Sequence, residues 1–256
     1  MNLELQGKSV LVTGGSRGIG YACCEMFAAE GCNVTILGSQ KESVEGASAR
    51  LEAQVGRKVE AICLDLGQPD AVSDIRDRLR LADIIVNNAG AIPGGGLEDV
   101  SDSAWRQAWD LKVHGYINTT REALPAMIER GTGVIVNVIG IAGAAPRYDY
   151  ICGSSANSAL MTFTKAAGAH AARHGVRIVG VNPGPTETDR LVKLYQSRAA
   201  ERLGDASRWQ EMLADMPFGR VAKPEEIASL VVFLASARAS YISGAIVDVD
   251  GGAMYG

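Results

Sequence analysis

Thr13-Gly14-Gly15-Ser16-Arg17-Gly18-Ile19-Gly20 joins an apolar run, Ser9–Thr13, to a segment of helical period, Gly18–Glu30. Glycines at such a junction let the backbone turn sharply and approach a ligand closely. The N-terminus of the helix that follows offers amide hydrogens and a partial positive charge. Together these features predict a strand, turn and helix that cradle a pyrophosphate, the opening unit of a nucleotide-binding α/β sheet.

Outward from this stretch the same alternation repeats. Short apolar runs at Asn33–Leu37, Val59–Leu64, Asp83–Asn87, Gly133–Ile139, Arg177–Asn182 and Ala245–Val249 read as strands. Between them Lys41–Gln54, Ala71–Leu81, Ser101–Arg130, Ser154–Arg173 and Pro224–Ala235 read as helices. Continuous apolar strands need cover on both faces, and strand–helix alternation implies parallel pairing through right-handed crossovers. The expectation is a single-domain α/β protein over residues 1–256, a Rossmann-type doubly wound parallel sheet of about seven strands with helices on both faces. The polar stretch 185–217 is expected to form a lid-like excursion over the C-terminal edge of the sheet, where such folds bind ligands.

Composition narrows the class. Of 256 residues 47% are hydrophobic but only 5% aromatic, so the core must be built of Val, Ile, Leu and Ala. A net charge of −4 without a basic run argues against nucleic acid and anionic membranes as partners. Cys23, Cys24, Cys32, Cys63 and Cys152 form no CxxC pair or ligand cluster, so they read as small buried hydrophobes and no metal is expected. The absence of an 18-residue apolar stretch and of an N-terminal signal core gives a cytoplasmic location as the expectation.

The order of further motifs resembles the short-chain dehydrogenase/reductase family along essentially the whole chain. The resemblance rests on TGxxxGIG at 13–20, Asn87-Asn88-Ala89-Gly90, Asn182-Pro183-Gly184 followed by Thr188, Pro224-Glu225-Glu226-Ile227-Ala228 and Asp250-Gly251-Gly252. It implies an oxidoreductase with a dinucleotide cofactor. The cofactor contacts it implies are Gly14, Ser16, Arg17, Gly18, Ile19 and Gly20 in the first loop, and Asp65 and Leu66 after the third strand. Asn88, Ala89 and Gly90 follow the fourth strand, with Asn157, Pro183, Gly184, Thr186 and Thr188 further on. An acid at the end of the second strand would favour NAD, but Leu37-Gly38-Ser39-Gln40 has none. With Arg17 and Ser39 placed to meet a 2′-phosphate, NADP is expected over NAD. The resemblance also implies a homo-tetramer.

The family's mechanism uses a Tyr, a Lys four residues later, a Ser thirteen residues before the Tyr, and an Asn on the preceding long helix. Counting back from Ser158–Thr164 puts Gly153, Asn157, Gly140 and Lys112 at those positions. None carries the family's side chain, and glycine has no side chain to inherit a role. Substitute chemistry rests on Tyr150 or Tyr148, with Arg147 or Lys112 lowering its pKa. His114, His170 and His174 read as surface or helix-end residues, and Trp105 and Trp109 as core or interface packing. Two readings therefore stay open: an oxidoreductase with a non-standard acid/base arrangement acting on an unknown small carbonyl or alcohol, and a non-catalytic dinucleotide-binding protein that serves as a redox sensor or as a partner subunit of an active homologue. Two glycines at the nicotinamide end further predict a roomy cleft.

Overall fold

A computed structural model describes residues 2–255, with the side chains of Arg190, Leu194, Ser197 and Arg198 excepted. The chain forms a single-domain α/β fold with one parallel seven-stranded sheet, ordered β3-β2-β1-β4-β5-β6-β7. The strands are β1 (Ser9–Thr13), β2 (Asn33–Gly38), β3 (Glu60–Cys63), β4 (Ile84–Asn87), β5 (Gly133–Val138), β6 (Val176–Pro183) and β7 (Ile246–Val249). The order reverses between β1 and β4, whose register pairs Val10 with Ile84 and Val12 with Val86. Loops leaving the carboxyl ends of these two strands diverge, and a crevice opens between them.

Period-two alternation inside the apolar runs decides which face each side chain serves. Val10, Val12, Ile84, Val86, Val136 and Val138 join α1 (Gly18–Ala29), α2 (Lys41–Val55) and α9 (Pro224–Ala235) in one core. Leu11, Ile85, Ile135 and Ile178 point to the opposite core, with α4 (Arg76–Leu81), α6 (Gly115–Arg130) and α7 (Ile151–Ala172). Each such fully buried aliphatic side chain stabilises the fold by about 1.5–3 kcal/mol.

Three details depart from the sequence reading. The segment 71–81 is two helices, α3 (Ala71–Asp74) and α4, broken where Ile75 takes φ −116°. The segment 101–130 is α5 (Asp102–Trp109) and α6 joined by a π turn, Asp110–His114. A hydrophobic period averages over one extra residue in a turn, so the break left no trace in the pattern. Cys63 is exposed rather than buried. It lies on β3, the edge strand, where alternate residues face outward despite the apolar run. The other four cysteines are buried, and burial pushes the Cys23 thiol up to about 12.

After β6 comes the stretch 185–217. It contains α8 (Asp189–Leu203), capped by the Thr188 hydroxyl accepting from Leu191 N–H, and a 3₁₀ segment, Ala206–Leu213. Tyr195, Leu213 and Val221 form a small core of their own beneath Trp209 and Met216. The neck is tied where Ala222 N–H donates to Pro185 O and Glu187 N–H to Ala222 O.

Candidate functional site

The first loop and the loop after β4 are locked to each other by one hydroxyl. Thr13 Oγ1 accepts from the backbone N–H of Asn88 (2.9 Å) and of Ala89 (3.1 Å). Asn88 Nδ2 donates back to the carbonyls of Thr13 and Gly14. Gly20 makes this approach possible, since a side chain there would start 2.2 Å from Gly14 O and 2.5 Å from Asn88 Nδ2. Gly14 has φ +64°, in the left-handed region glycine enters without strain. The loop after β6 closes the same crevice, because a Cβ on Gly18 would lie 3.1 Å from Thr188 Cγ2. Pro183, Gly184 and Thr186 follow on that strand and its loop, with Thr186 Oγ1 donating to Gly184 O. Residues 13–20, 88–90 and 183–188 are thus brought to one sheet edge, with backbone cradles that only glycine permits. This is the form a dinucleotide's pyrophosphate needs.

Ser39, just after β2, and Arg17, just before α1, are both exposed. The Arg17 carbonyl accepts from Tyr21 N–H, and no ion pair engages its guanidinium among the described residues. Asp65 faces its own turn, accepting from Gly67 N–H and Gln68 Nε2, beside buried Leu66.

Around the start of α7 the structure supplies what counting along the chain does not. Gly153 lies in the first turns of α7, and a side chain there would start 2.1 Å from both Cε1 and Cζ of Tyr150. The tip of the Tyr150 ring therefore occupies the place where a residue-153 side chain would begin. This corrects the expectation of a roomy cleft at the helix wall, which a ring from the preceding turn fills. Gly140, after β5, adopts φ +131° and ψ 141°, a conformation for glycine alone. A Cβ there would meet Asn157 Nδ2 at 2.8 Å. Asn157 is buried, and its Oδ1 has no partner among the described residues. Lys112 sits on the π turn, with its Nζ donating to Ile139 O at 2.6 Å and its stem lying over Gly90.

Tyr148 points elsewhere. It is 60% exposed and donates to Glu98, a hydrogen bond that holds the Tyr148 phenol above its usual range. Arg147 pairs with Asp149. His114, His170 and His174 are exposed, the last two in ring contact at the end of α7. Among the described residues no group of His, Cys, Asp and Glu is arranged to hold a metal, and no helix is long and apolar enough to cross a membrane.

Sequence reasoning missed two groups. Thr13 was visible only as the residue before the glycines. The second is a buried chain behind the site: Thr119 Oγ1 donates to Asn87 Oδ1, Asn87 Nδ2 to Asn137 Oδ1, and Asn137 Nδ2 to Thr164 Oγ1. Asn87 and Asn137 are register partners on β4 and β5, a pairing readable only once strand order is known. With each member satisfied, the chain fixes the strand ends beneath the crevice.

Comparison with known proteins agrees with the geometry. Residues 8–199 match the short chain dehydrogenase family pattern. The chain is 32% identical over 255 residues to a 3-oxoacyl-(acyl-carrier-protein) reductase of Chlamydia trachomatis serovar D, covering 97% of this chain and 98% of that protein. It is also 32% identical over 257 residues to the 2,3-dihydro-2,3-dihydroxybenzoate dehydrogenase of Bacillus subtilis, covering 98% of each. Among solved structures, L-sorbose reductase from Gluconobacter frateurii, complexed with NADPH and L-sorbose, superposes with a TM-score of 0.93. Its identity is 30%, with full coverage of both chains.

Proposed function

Since this chain belongs to the short-chain dehydrogenase family, we propose that it is an NADP(H)-dependent oxidoreductase acting on a carbonyl or alcohol with an acid/base arrangement of its own. The observation that carries this reading is Tyr150, whose ring tip stands where the side chain missing from Gly153 would begin. When bound, the reduced nicotinamide supplies a hydride to a carbonyl carbon. The chain must then deliver a proton to the carbonyl oxygen, which becomes an alcohol. The Tyr150 hydroxyl is the donor brought to the helix wall, while Tyr148 is turned away and hydrogen-bonded to Glu98. In this reading Gly14, Ser16, Gly18, Ile19 and Gly20 hold the pyrophosphate, Arg17 and Ser39 meet the 2′-phosphate, and Asp65 and Leu66 flank the adenine. Asn88, Ala89, Gly90, Pro183, Gly184, Thr186 and Thr188 hold the nicotinamide half, and the excursion 185–217 serves as a lid. Cofactor oxidation with a carbonyl panel tests it, and turnover must scale with protein concentration.

A second reading, a non-catalytic dinucleotide binder in the cytoplasm, is favoured by one observation. None of Lys112, Gly140, Gly153 and Asn157 carries the family side chain, and Gly140 at φ +131° leaves no unstrained place for a serine. Cofactor binding without turnover across the panel selects it.

Cofactor preference follows from the adenosine end. NADPH is expected to bind more tightly than NADH, since Arg17 and Ser39 are exposed where no acid repels a phosphate. Arg17→Ala should lose about ten- to hundredfold in NADPH affinity and little in NADH affinity, as for a hydrogen bond to a charged group. Equal loss of both in a fluorescence titration overturns the assignment.

We also propose a homo-tetramer. β7 ends the sheet with an open edge, and Trp105, Trp109, Leu97 and Val100 line an open groove on the outer side of α5. Edges and grooves of this kind are commonly covered by a second copy. A monomer mass by light scattering at micromolar protein refutes it.

A further inference from the structure

Three consecutive glycines, Gly94-Gly95-Gly96, lie in the loop after β4, between Ile92 and Val100. Both of those flanking residues are buried in one core cluster, against which Tyr150 also packs. A glycine run has the greatest backbone freedom, so the path of this loop must be set by particular contacts. Those contacts reach residues 148–150, just before α7. Gly95 N–H donates to Asp149 O at 2.8 Å, and residue 95 makes a parallel bridge to residue 150. Gly95 takes φ +126°, and a Cβ there would stand 2.8 Å from Asp99 Cβ. A Cβ on Gly96 would stand 2.7 Å from Cε1 of the Tyr148 ring. Glycine is required at both places.

The Tyr148 ring lies against this loop, and its hydroxyl latches the two segments by donating to the Glu98 carboxylate. That bond holds the Glu98 carboxyl below its ordinary range and the Tyr148 phenol above it, as a charge-assisted hydrogen bond does. Within the loop, Gly96 N–H donates to Asp99 Oδ2 at 2.9 Å. On the other side, Arg147 N–H donates to Ser154 Oγ of α7 at 3.0 Å, and Tyr150 N–H donates to Arg147 O. Tyr150 thus lies between a turn anchored on α7 and a loop anchored in the core.

We infer that loop 93–99 and turn 147–150 form one clasp, in which Glu98 and Tyr148 are positioning residues that hold the Tyr150 hydroxyl in place. Their action runs through the backbone. The latch fixes the loop, the loop fixes residue 150 through its bridge, and the ring follows. A proton donor must come within hydrogen-bond reach of the oxygen it serves, so small shifts of residue 150 reach the rate. The positioning role rests on Tyr150 as the proton donor of the proposed reaction.

The test joins amide hydrogen exchange over residues 91–100 and 146–155 to steady-state rates with NADPH and the best carbonyl substrate. Tyr148→Phe and Glu98→Ala should each speed exchange in both segments by about two- to tenfold, the worth of one net hydrogen bond. The same variants should lower kcat by a similar factor and leave KM and NADPH affinity level. Glu98→Gln, whose amide oxygen still accepts, should recover most of the loss. Gly94→Ala should act the other way and slow exchange by about two- to fivefold. Gly94 has no left-handed φ, and its Cβ would stand 4.0 Å from Asp149 O. In a Tyr150→Phe background the latch variants should cost no further rate, because they act through that hydroxyl. A further loss there, or an unchanged kcat while both segments exchange faster, overturns the positioning role. Faster exchange confined to 91–100 overturns the clasp itself. A wild-type protein that binds NADPH without turnover removes the donor reading and the positioning role with it, while exchange still decides the clasp.

Discussion

Tyr150→Phe should cost about 10²–10⁴-fold in turnover, the usual contribution of a positioned general acid, with fold and NADPH affinity unchanged. The substitution isolates the hydroxyl, because phenylalanine keeps the ring that fills the space above Gly153. The ring is held by its backbone as well: Tyr150 O accepts from Ser154 N–H in the first turn of α7, and residue 150 bridges to Gly95. Wild-type and variant rates with the best carbonyl substrate, together with NADPH titrations, decide the matter. A variant that retains wild-type turnover would falsify Tyr150 as the donor. Absence of turnover in both proteins, with NADPH bound, selects the non-catalytic reading. The same geometry predicts how repair of the family pattern behaves. Gly153→Tyr alone collides with the Tyr150 ring, and Gly140→Ser alone enters a strained conformation. Single restorations should therefore show no gain, and Lys112→Asn, Gly140→Ser, Gly153→Tyr and Asn157→Lys should gain activity only in combination and with Tyr150→Ala clearing the space above residue 153.

Gly20→Ala is expected to be the most damaging methyl group in the molecule's first loop. Its Cβ would stand 2.2 Å from Gly14 O and 2.5 Å from Asn88 Nδ2, and the carbonyl is backbone that cannot swing aside. Overpacking of this kind costs about 1–3 kcal/mol, or a fall in Tm of roughly 2–10 °C for a domain of this size. The displaced Gly14 and Asn88 are also the cradle, so NADPH affinity should fall with stability. Gly46→Ala provides the control. Gly46 lies within α2, and its Cβ would meet only the far end of Arg50 at 3.7 Å. Alanine there should stabilise by about 0.5–1 kcal/mol through helix propensity. Thermal denaturation of both variants checks the opposite signs, and a Gly20→Ala protein as stable as wild type sinks the packing argument.

The run at 13–20 and the alternation that follows it were enough to foretell a parallel, doubly wound sheet. Both rest on local chemistry: glycine between strand and helix, and apolar runs too continuous for a half-exposed sheet. All seven runs named from the sequence became the seven strands, in places with ends moved by a residue or two. The edge position of β3, and hence the exposure of Cys63, was hidden, because an apolar run does not say how many neighbours its strand has. The π turn under Lys112 was hidden for a related reason, since one extra residue barely disturbs a hydrophobic period.

At the site the division is sharper. By itself the sequence determined which side chains are absent: residues 140 and 153 are glycines, whatever the fold. What stands in their place was decided only by tertiary structure. The Tyr150 ring over Gly153 and the Asn157 amide over Gly140 are contacts between residues whose spacing in sequence matches no motif. Lys112 meets Ile139 O across 27 positions of chain, through the packing of a π turn on the end of β5. Chemistry of that kind depends on distances in space, which a linear pattern carries only when neighbours in the fold are also neighbours along the backbone.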